Sequence, residues 1–212
     1  MTRADGQLMR AWQAQSLLLG YPDELLLGRL DLLARVCDTL DEAVGAPMRR
    51  FVQHLRATPP GQLAADYVTT FDHRKRCCLL LTYYAHGDTR NRGMALLGLK
   101  QTYAADGLML VDDELPDHLA VVLEYAAAQP GRGRALLLEH RAGLELLRLA
   151  LQDAGSPWAD LLDSVSATLP PLAGDQRDAV AKLAAQGPPE EQVGLAPFAP
   201  PEYMPQQQGA LR

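Results

Sequence analysis

The chain has 212 residues, 48% of them hydrophobic and 22% charged, with a formal net charge of -6. That is enough apolar material for one domain with a sizeable core, and the acidity argues against general nucleic-acid binding, which needs a basic face for the phosphate backbone. Cys37, Cys77 and Cys78 form an odd set without C-x-x-C spacing, so neither a disulfide framework nor a zinc ribbon is indicated, and reduced thiols in a cytoplasmic protein fit best.

The first residues, MTRADGQLMRAW, lack an apolar core of signal-peptide length, and aliphatic runs such as 79–81 are too short to span a bilayer. Apolar residues recur at spacings of three and four almost throughout, and no segment alternates over strand length, which predicts an all-helical, single-domain bundle over 1–186. A helix over 7–19 stops at Gly20 with Pro22 just beyond, and Asp23 caps the next, which runs to about residue 40. Further helices are expected over 41–57, 62–71, 74–86, 89–105, 114–128, 133–154, 157–169 and 175–186, separated by Gly and Pro punctuation. From 187 to 212 the chain turns Pro- and Gln-rich and loses helical period, which predicts a disordered, flexible tail with Leu195, Phe198 and Tyr203 as spaced apolar anchors.

In the 133–154 helix, Leu136, His140, Leu144, Leu147 and Leu151 share one stripe, while Arg134, Arg141, Glu145 and Arg148 fall opposite and are expected in water. His140 reads as a core histidine. In the 114–128 helix, Leu115, Leu119, Val122, Leu123 and Ala126 point inward, Asp117 and Glu124 point to solvent, and His118 borders the stripe. Pro116 suits a first turn, and Asp112 or Asp113 can cap it. On residues alone, Asp117 and His118 read as an ordinary helix start or as a binding pair. Tyr67 and Phe71, four apart on the face of Leu63, read as core or as aromatic anchors.

Arg74, Lys75, Arg76, Arg90, Arg92 and Lys100 precede a run of Asp106, Asp112, Asp113, Glu114, Asp117 and Glu124. Such runs usually mark solvated faces, but an acidic rim beside aromatic anchors also suits a basic amphipathic helix. Cys77 and Cys78 are adjacent, and with His73 they supply too few ligands for a tetrahedral ion, so no metal site is expected. No P-loop, H-E-x-x-H or G-x-S-x-G is present, and no nucleophile stands with an orienting base, so catalytic residues and cofactors are expected to be absent.

Taken in order, Tyr67 and Phe71, the stretch RCCLLLTYYAHGDTRNRGMALLGLKQ, and Glu114-Leu115-Pro116-Asp117-His118 resemble the assembly chaperones of respiratory nitrate reductase. These form the delta-subunit type within the TorD-like redox-enzyme maturation chaperones, and the likeness is good over about 17–123. The resemblance implies a TorD-like helical bundle that is not an enzyme. Its partner would be the catalytic (alpha) subunit of the reductase, bound through a basic N-terminal segment. The chaperone would keep that apoprotein competent for molybdenum-cofactor and iron-sulfur insertion, prevent early docking to the membrane anchor, and leave before the enzyme works. It further implies that Tyr67, Phe71, Glu114, Leu115, Asp117 and His118 bind the client peptide. The alternatives are a different molybdoenzyme client, a regulatory adaptor using the basic run, or a helical hydrolase with Asp117 and His118 as acid and base.

Overall fold

The computed structural model describes residues 3–111 and 114–189. Gly20 and Pro22 end the first helix, α1 (Arg3–Leu18), and Asp23 then accepts from the Leu26 N–H at 2.8 Å to start α2 (Glu24–Leu27). The expected single helix to residue 40 is broken at Gly28, and α3 (Leu30–Cys37) follows. Next come α4 (Glu42–Ala57) and α5 (Pro60–Phe71), the latter with proline in its first turn, where a missing N–H costs nothing.

Two expected helices are corrected together. The segment 74–86 is a 3-10 turn at Lys75–Cys77, an extended stretch, and a short α6 (Leu81–His86). The segment 114–128 is extended at its start, turns at Pro116 and Asp117, and becomes helical only in α8 (Leu119–Ala128). The two irregular stretches satisfy each other's backbone. The Leu81 N–H donates to Asp117 O at 2.9 Å and the Leu119 N–H to Leu79 O at 2.8 Å, forming one antiparallel bridge between Leu80 and His118. Each stretch gives up helical bonds and recovers them from the other, so buried backbone groups stay paired. This bridge is the only β-type pairing among the described residues.

Between them runs α7 (Arg90–Ala105), which buries Leu99 and Tyr103 and packs as a helix chiefly on α6. The expected 133–154 helix is two, α9 (Pro130–Glu139) and α10 (Arg141–Asp153), with His140 at the break. The new direction brings Gly143 against Tyr84, so close that a Cβ there would lie 2.8 Å from the Tyr84 Cβ. Last come α11 (Ala159–Ala167) and α12 (Gly174–Gln186).

The core forms where α1 lies on α8 and α4 lies on α11. Trp12, Leu18, Met48, Phe51, Leu123, Leu147, Trp158 and Leu161 are sealed inside. Each such side chain contributes about 1.5–3 kcal/mol of hydrophobic stabilisation. Donors that α1 carries inward find acceptors, while Gln15 Oε1 is buried without a partner: Trp12 Nε1 donates to Thr168 Oγ1 at 2.9 Å, Gln15 Nε2 to Ser164 Oγ at 2.7 Å, and Ser16 Oγ to Ala120 O at 2.7 Å.

Arg141 and Glu145 are not in water as their helical position suggested; both are buried. The reason is α11, which packs on that side of α10 and places Ser166 beside them. Arg141 Nη2 meets Glu145 Oε1 at 2.9 Å, and Arg148 joins Glu145 at 2.7 Å and Asp163 at 3.0 Å. Opposite charges that enter the interior together and share hydrogen bonds avoid the cost of a lone buried charge. No helix among the described residues is long and apolar enough to cross a membrane. The expected flexible tail falls, beyond Pro189, outside the described residues.

Candidate binding site

The corner before α8 is built around Asp117, which is 0% exposed. This corrects the expectation that its side chain projects to solvent. Because the helix starts two residues later and the backbone bridge folds the turn inward, the carboxylate faces α6 instead. Asp117 Oδ2 accepts from the Thr82 N–H at 3.3 Å and from Thr82 Oγ1, and Arg92 Nη2 lies 3.5 Å from the same oxygen. Arg92 also donates through Nε to Thr82 Oγ1 at 3.3 Å. Tyr103 donates to the Pro116 carbonyl at 2.7 Å. The dipeptide Pro116-Asp117 is therefore gripped from α6 and from two points on α7.

His118 is half-buried and serves as the N-cap of α8, its Nδ1 accepting from the Ala120 N–H at 3.3 Å. Burial pushes its pKa below the ordinary value, against the opposing pull of Asp117 and Glu114. An imidazole that accepts at Nδ1 is the neutral form, so cap and burial favour the same state.

Immediately before this braced corner the chain leaves apolar side chains in solvent. Gly107, with φ 75°, ends α7, and Met109, Val111 and Leu115 that follow are 91%, 72% and 42% exposed. Leu108–Val111 and Glu114 fold along Lys100, Tyr103 and Ala104 of α7 around a cleft of about 260 Å³. Met94 and Leu97, on the same helix, are exposed too. Contiguous exposed apolar side chains on a folded protein usually mark an interaction surface. Sequence reasoning named Leu115 but expected it to point inward, and it is exposed because the chain is extended there and α8 starts only at Leu119. It missed Met109 and Val111, although Leu108–Val111 is an apolar run between a helix-ending glycine and the acidic residues that no helical period claims.

Tyr67 and Phe71 lie elsewhere, in an aromatic cluster with Trp158. Their ring centroids are 5.8 and 5.5 Å from that of Trp158 and 4.8 Å from each other. Phe71 is buried, and Tyr67 is half-buried with its hydroxyl donating to Leu19 O at 3.2 Å. Burial raises the Tyr67 pKa to about 12. Tyr21, half exposed, stands edge-on to Tyr67 at 5.4 Å. Among the described residues no hydrogen bond, ion pair or ring contact joins this cluster to the Asp117 corner. The six sequence-predicted residues thus separate into an aromatic pair and the Glu114–His118 stretch, in which Glu114 and Leu115 are exposed.

The acidic run does not form a single rim. Asp106 accepts from Tyr125 at 2.7 Å and from Arg132 at 2.6 Å, and Asp117 is inside, which leaves Glu114 and Glu124 facing water; Asp112 and Asp113 lie outside the described residues. Cys77 is buried and Cys78 half-buried, and burial raises both thiol pKa values. No metal-ligating cluster is found among the described residues.

Residues 37–163, which hold the Asp117 corner, the exposed strip and the aromatic cluster, match the family model described as nitrate reductase delta subunit. A nitrate reductase-like protein NarX of Mycobacterium tuberculosis is 41% identical over 159 residues, 74% of this chain and 24% of the relative, so the chain spans about a quarter of that protein's length. A probable nitrate reductase molybdenum cofactor assembly chaperone NarJ of Bacillus subtilis is 32% identical over 171 residues, covering 80% of this chain and 92% of the relative. The corresponding chaperone NarJ of Escherichia coli K12 is 38% identical over 114 residues, 53% of this chain and 48% of its own. In fold, the chain is similar to a putative redox enzyme maturation protein from Archaeoglobus fulgidus, with a TM-score of 0.56 at 22% identity over 83% of this chain and 93% of that one.

Proposed function

Because this chain belongs to the nitrate reductase delta subunit family, we propose that it is a dedicated assembly chaperone for the catalytic subunit of a respiratory nitrate reductase. In this reading it acts in the cytoplasm on the apoprotein. It binds the basic N-terminal segment of that subunit, keeps the protein open to molybdenum-cofactor and iron-sulfur insertion, delays membrane docking, and is absent from the finished enzyme.

The observation that carries the reading is the apolar strip Met109, Val111 and Leu115 held in solvent beside Glu114 and a rigid Asp117 corner. A client segment folding as an amphipathic helix places apolar side chains on the strip and the cleft against α7, and a Lys or Arg against Glu114. His118, kept neutral by burial, adds no repelling charge. Asp117 takes a different part from direct contact: it fixes the turn that presents Glu114, Leu115 and His118. Tyr67, with Phe71 beneath it and Tyr21 beside it, offers a second aromatic shelf for a longer segment. A preorganised corner lowers the ordering cost of binding, and micromolar affinity corresponds to about 8 kcal/mol.

The test is calorimetry of the full chain with a synthetic peptide of the catalytic subunit's N-terminus from the same genome, beside the equivalent peptide of another molybdoenzyme. Saturable binding of the first, lost in Met109→Asp, is the expected result. Tighter binding of the second peptide would reassign the client, and binding of neither would remove the chaperone-groove reading.

A further inference from the structure

A second groove lies away from the Glu114–His118 strip, between the 3-10 turn with α6 on one side and α10 on the other. Its cavity has a volume of about 740 Å³, with Cys77, Tyr84, Leu146, Leu149 and Ala150 in its wall. Tyr84 is fixed there by hydroxyl bonds to Arg76 O at 3.0 Å and Cys78 O at 2.9 Å. A helix already lies over part of it: the last turn of α12 and the residues after it, Leu183–Pro188, line one side of the cavity. Beyond Gly187, Pro189 passes so close over Gly87 that any Cβ at Gly87 would collide with its carbonyl oxygen.

This cover is lightly attached. No residue of α12 is buried, and its principal helix contact is with α10. The side-chain hydrogen bonds at its start are local, Gln176 accepting from the Ala173 N–H and Arg177 donating to Leu172 O. Among the described residues no ion pair ties α12 to the body. The helix also lies outside the stretch that matches the family model.

Among the described residues, the cover leaves the groove's charge unanswered. Arg74, Lys75 and Arg76 line the rim, all three exposed and none in an ion pair among the described residues. Leu183–Pro188 brings them no carboxylate, and Asp153 is the one acidic side chain in the lining. We propose that this groove is a docking site for an amphipathic helix of a partner protein with an apolar face and an acidic flank, and that α12 is a displaceable cover occupying it meanwhile. The apolar wall receives the partner's hydrophobic face, as it now receives Leu183, and the three cations supply the attraction that α12 lacks. The charge preference is opposite to that of the basic client segment, so the two surfaces serve different partners.

Two synthetic helical peptides with the same leucine stripe, one flanked by Glu and one by Lys, test this on the full chain by fluorescence anisotropy. Alkylation of Cys77 by N-ethylmaleimide reports whether the groove is covered. Leu183→Asp loosens the cover at a half-buried side chain that packs on the edge of the core, and Leu183→Ala is the milder variant should the first lose its helical circular dichroism. Either variant is expected to alkylate faster at Cys77 than the wild type and to bind the Glu-flanked peptide about tenfold more tightly. Bound peptide is expected to slow alkylation again, and reversing Arg74, Lys75 and Arg76 to Glu is expected to abolish binding. Equal or tighter binding of the Lys-flanked peptide, unchanged Cys77 reactivity in both variants, or dimerisation of the loosened chain in place of peptide binding would each overturn the proposal.

Discussion

Thr82 holds Asp117 twice, through its backbone N–H at 3.3 Å and its hydroxyl, on the same carboxylate oxygen that Arg92 approaches at 3.5 Å. The bond spans 35 residues and joins α6 to the turn before α8. Removing the acceptor leaves the buried Thr82 N–H and hydroxyl proton without their partner and takes from Arg92 its enclosed counter-charge, with only the exposed Asp88 left at 3.4 Å. Asp117→Ala is expected to lower unfolding free energy by about 3 kcal/mol in urea titration, because breaking one side of a buried charged network strands the other. A loss below about 0.5 kcal/mol, the range of ordinary surface changes, would show that the corner is not held this way.

The exposed strip answers differently to substitution. Met109→Asp and Val111→Asp remove no packing, so the urea midpoint should stay within about 0.5 kcal/mol of the wild type. Affinity for the client's N-terminal peptide should fall about tenfold or more, as it does when an apolar anchor is lost. Unchanged affinity in calorimetry would place the client elsewhere.

Acid should weaken the fold through two histidines. Burial lowers the pKa of both His118 and His140 from an ordinary 6.5. Their contribution is complete above that unfolded value, where both states are neutral. As pH falls below it the unfolded chain binds protons first, and stability drops until the lowered folded values are passed. Urea midpoints measured between pH 7.5 and 5 should decline, and His118→Gln should flatten part of the slope. A midpoint that rises on acidification would contradict the sign.

Arg141 and Glu145 form the second buried charged pair, 2.9 Å apart. Arg141→Met is expected to cost about 3–5 kcal/mol because Glu145 stays buried with its charge only partly met by Arg148. Replacing both with Met should cost less than the sum of the two single changes. A double-mutant cycle reads the difference directly, and simple additivity would mean that the pair is not coupled.

Most of the helical order could be read in the sequence because its cues are local: Gly20 and Pro22 stop α1, Asp23 caps α2, and the apolar spacing marks α4, α5, α8 and α11. What could not be read depended on distant partners. Nothing near Asp117 says that the extended stretch at 78–80 will pair with it, so a charged residue at an apparent helix start looked solvent-facing when it is enclosed. Arg141 likewise sat on the polar side of a helical wheel, and only the arrival of α11 buries that side. The exposed strip escaped for the converse reason: helical spacing turns Leu115 inward and leaves Leu108–Val111 in no element, and only the fold shows that, among the described residues, Met109, Val111 and Leu115 stay uncovered.

The hydrogen bonds from Trp12 to Thr168 and from Gln15 to Ser164 bridge separations of 156 and 149 residues. On a ribosome, α1 therefore waits, its indole and amide bonded to water instead of their native partners, until α11 has emerged. Chains halted short of Ser164 should be cut by protease within α1, and those released past Thr168 should resist, making closure of this fold wait on the synthesis of α11.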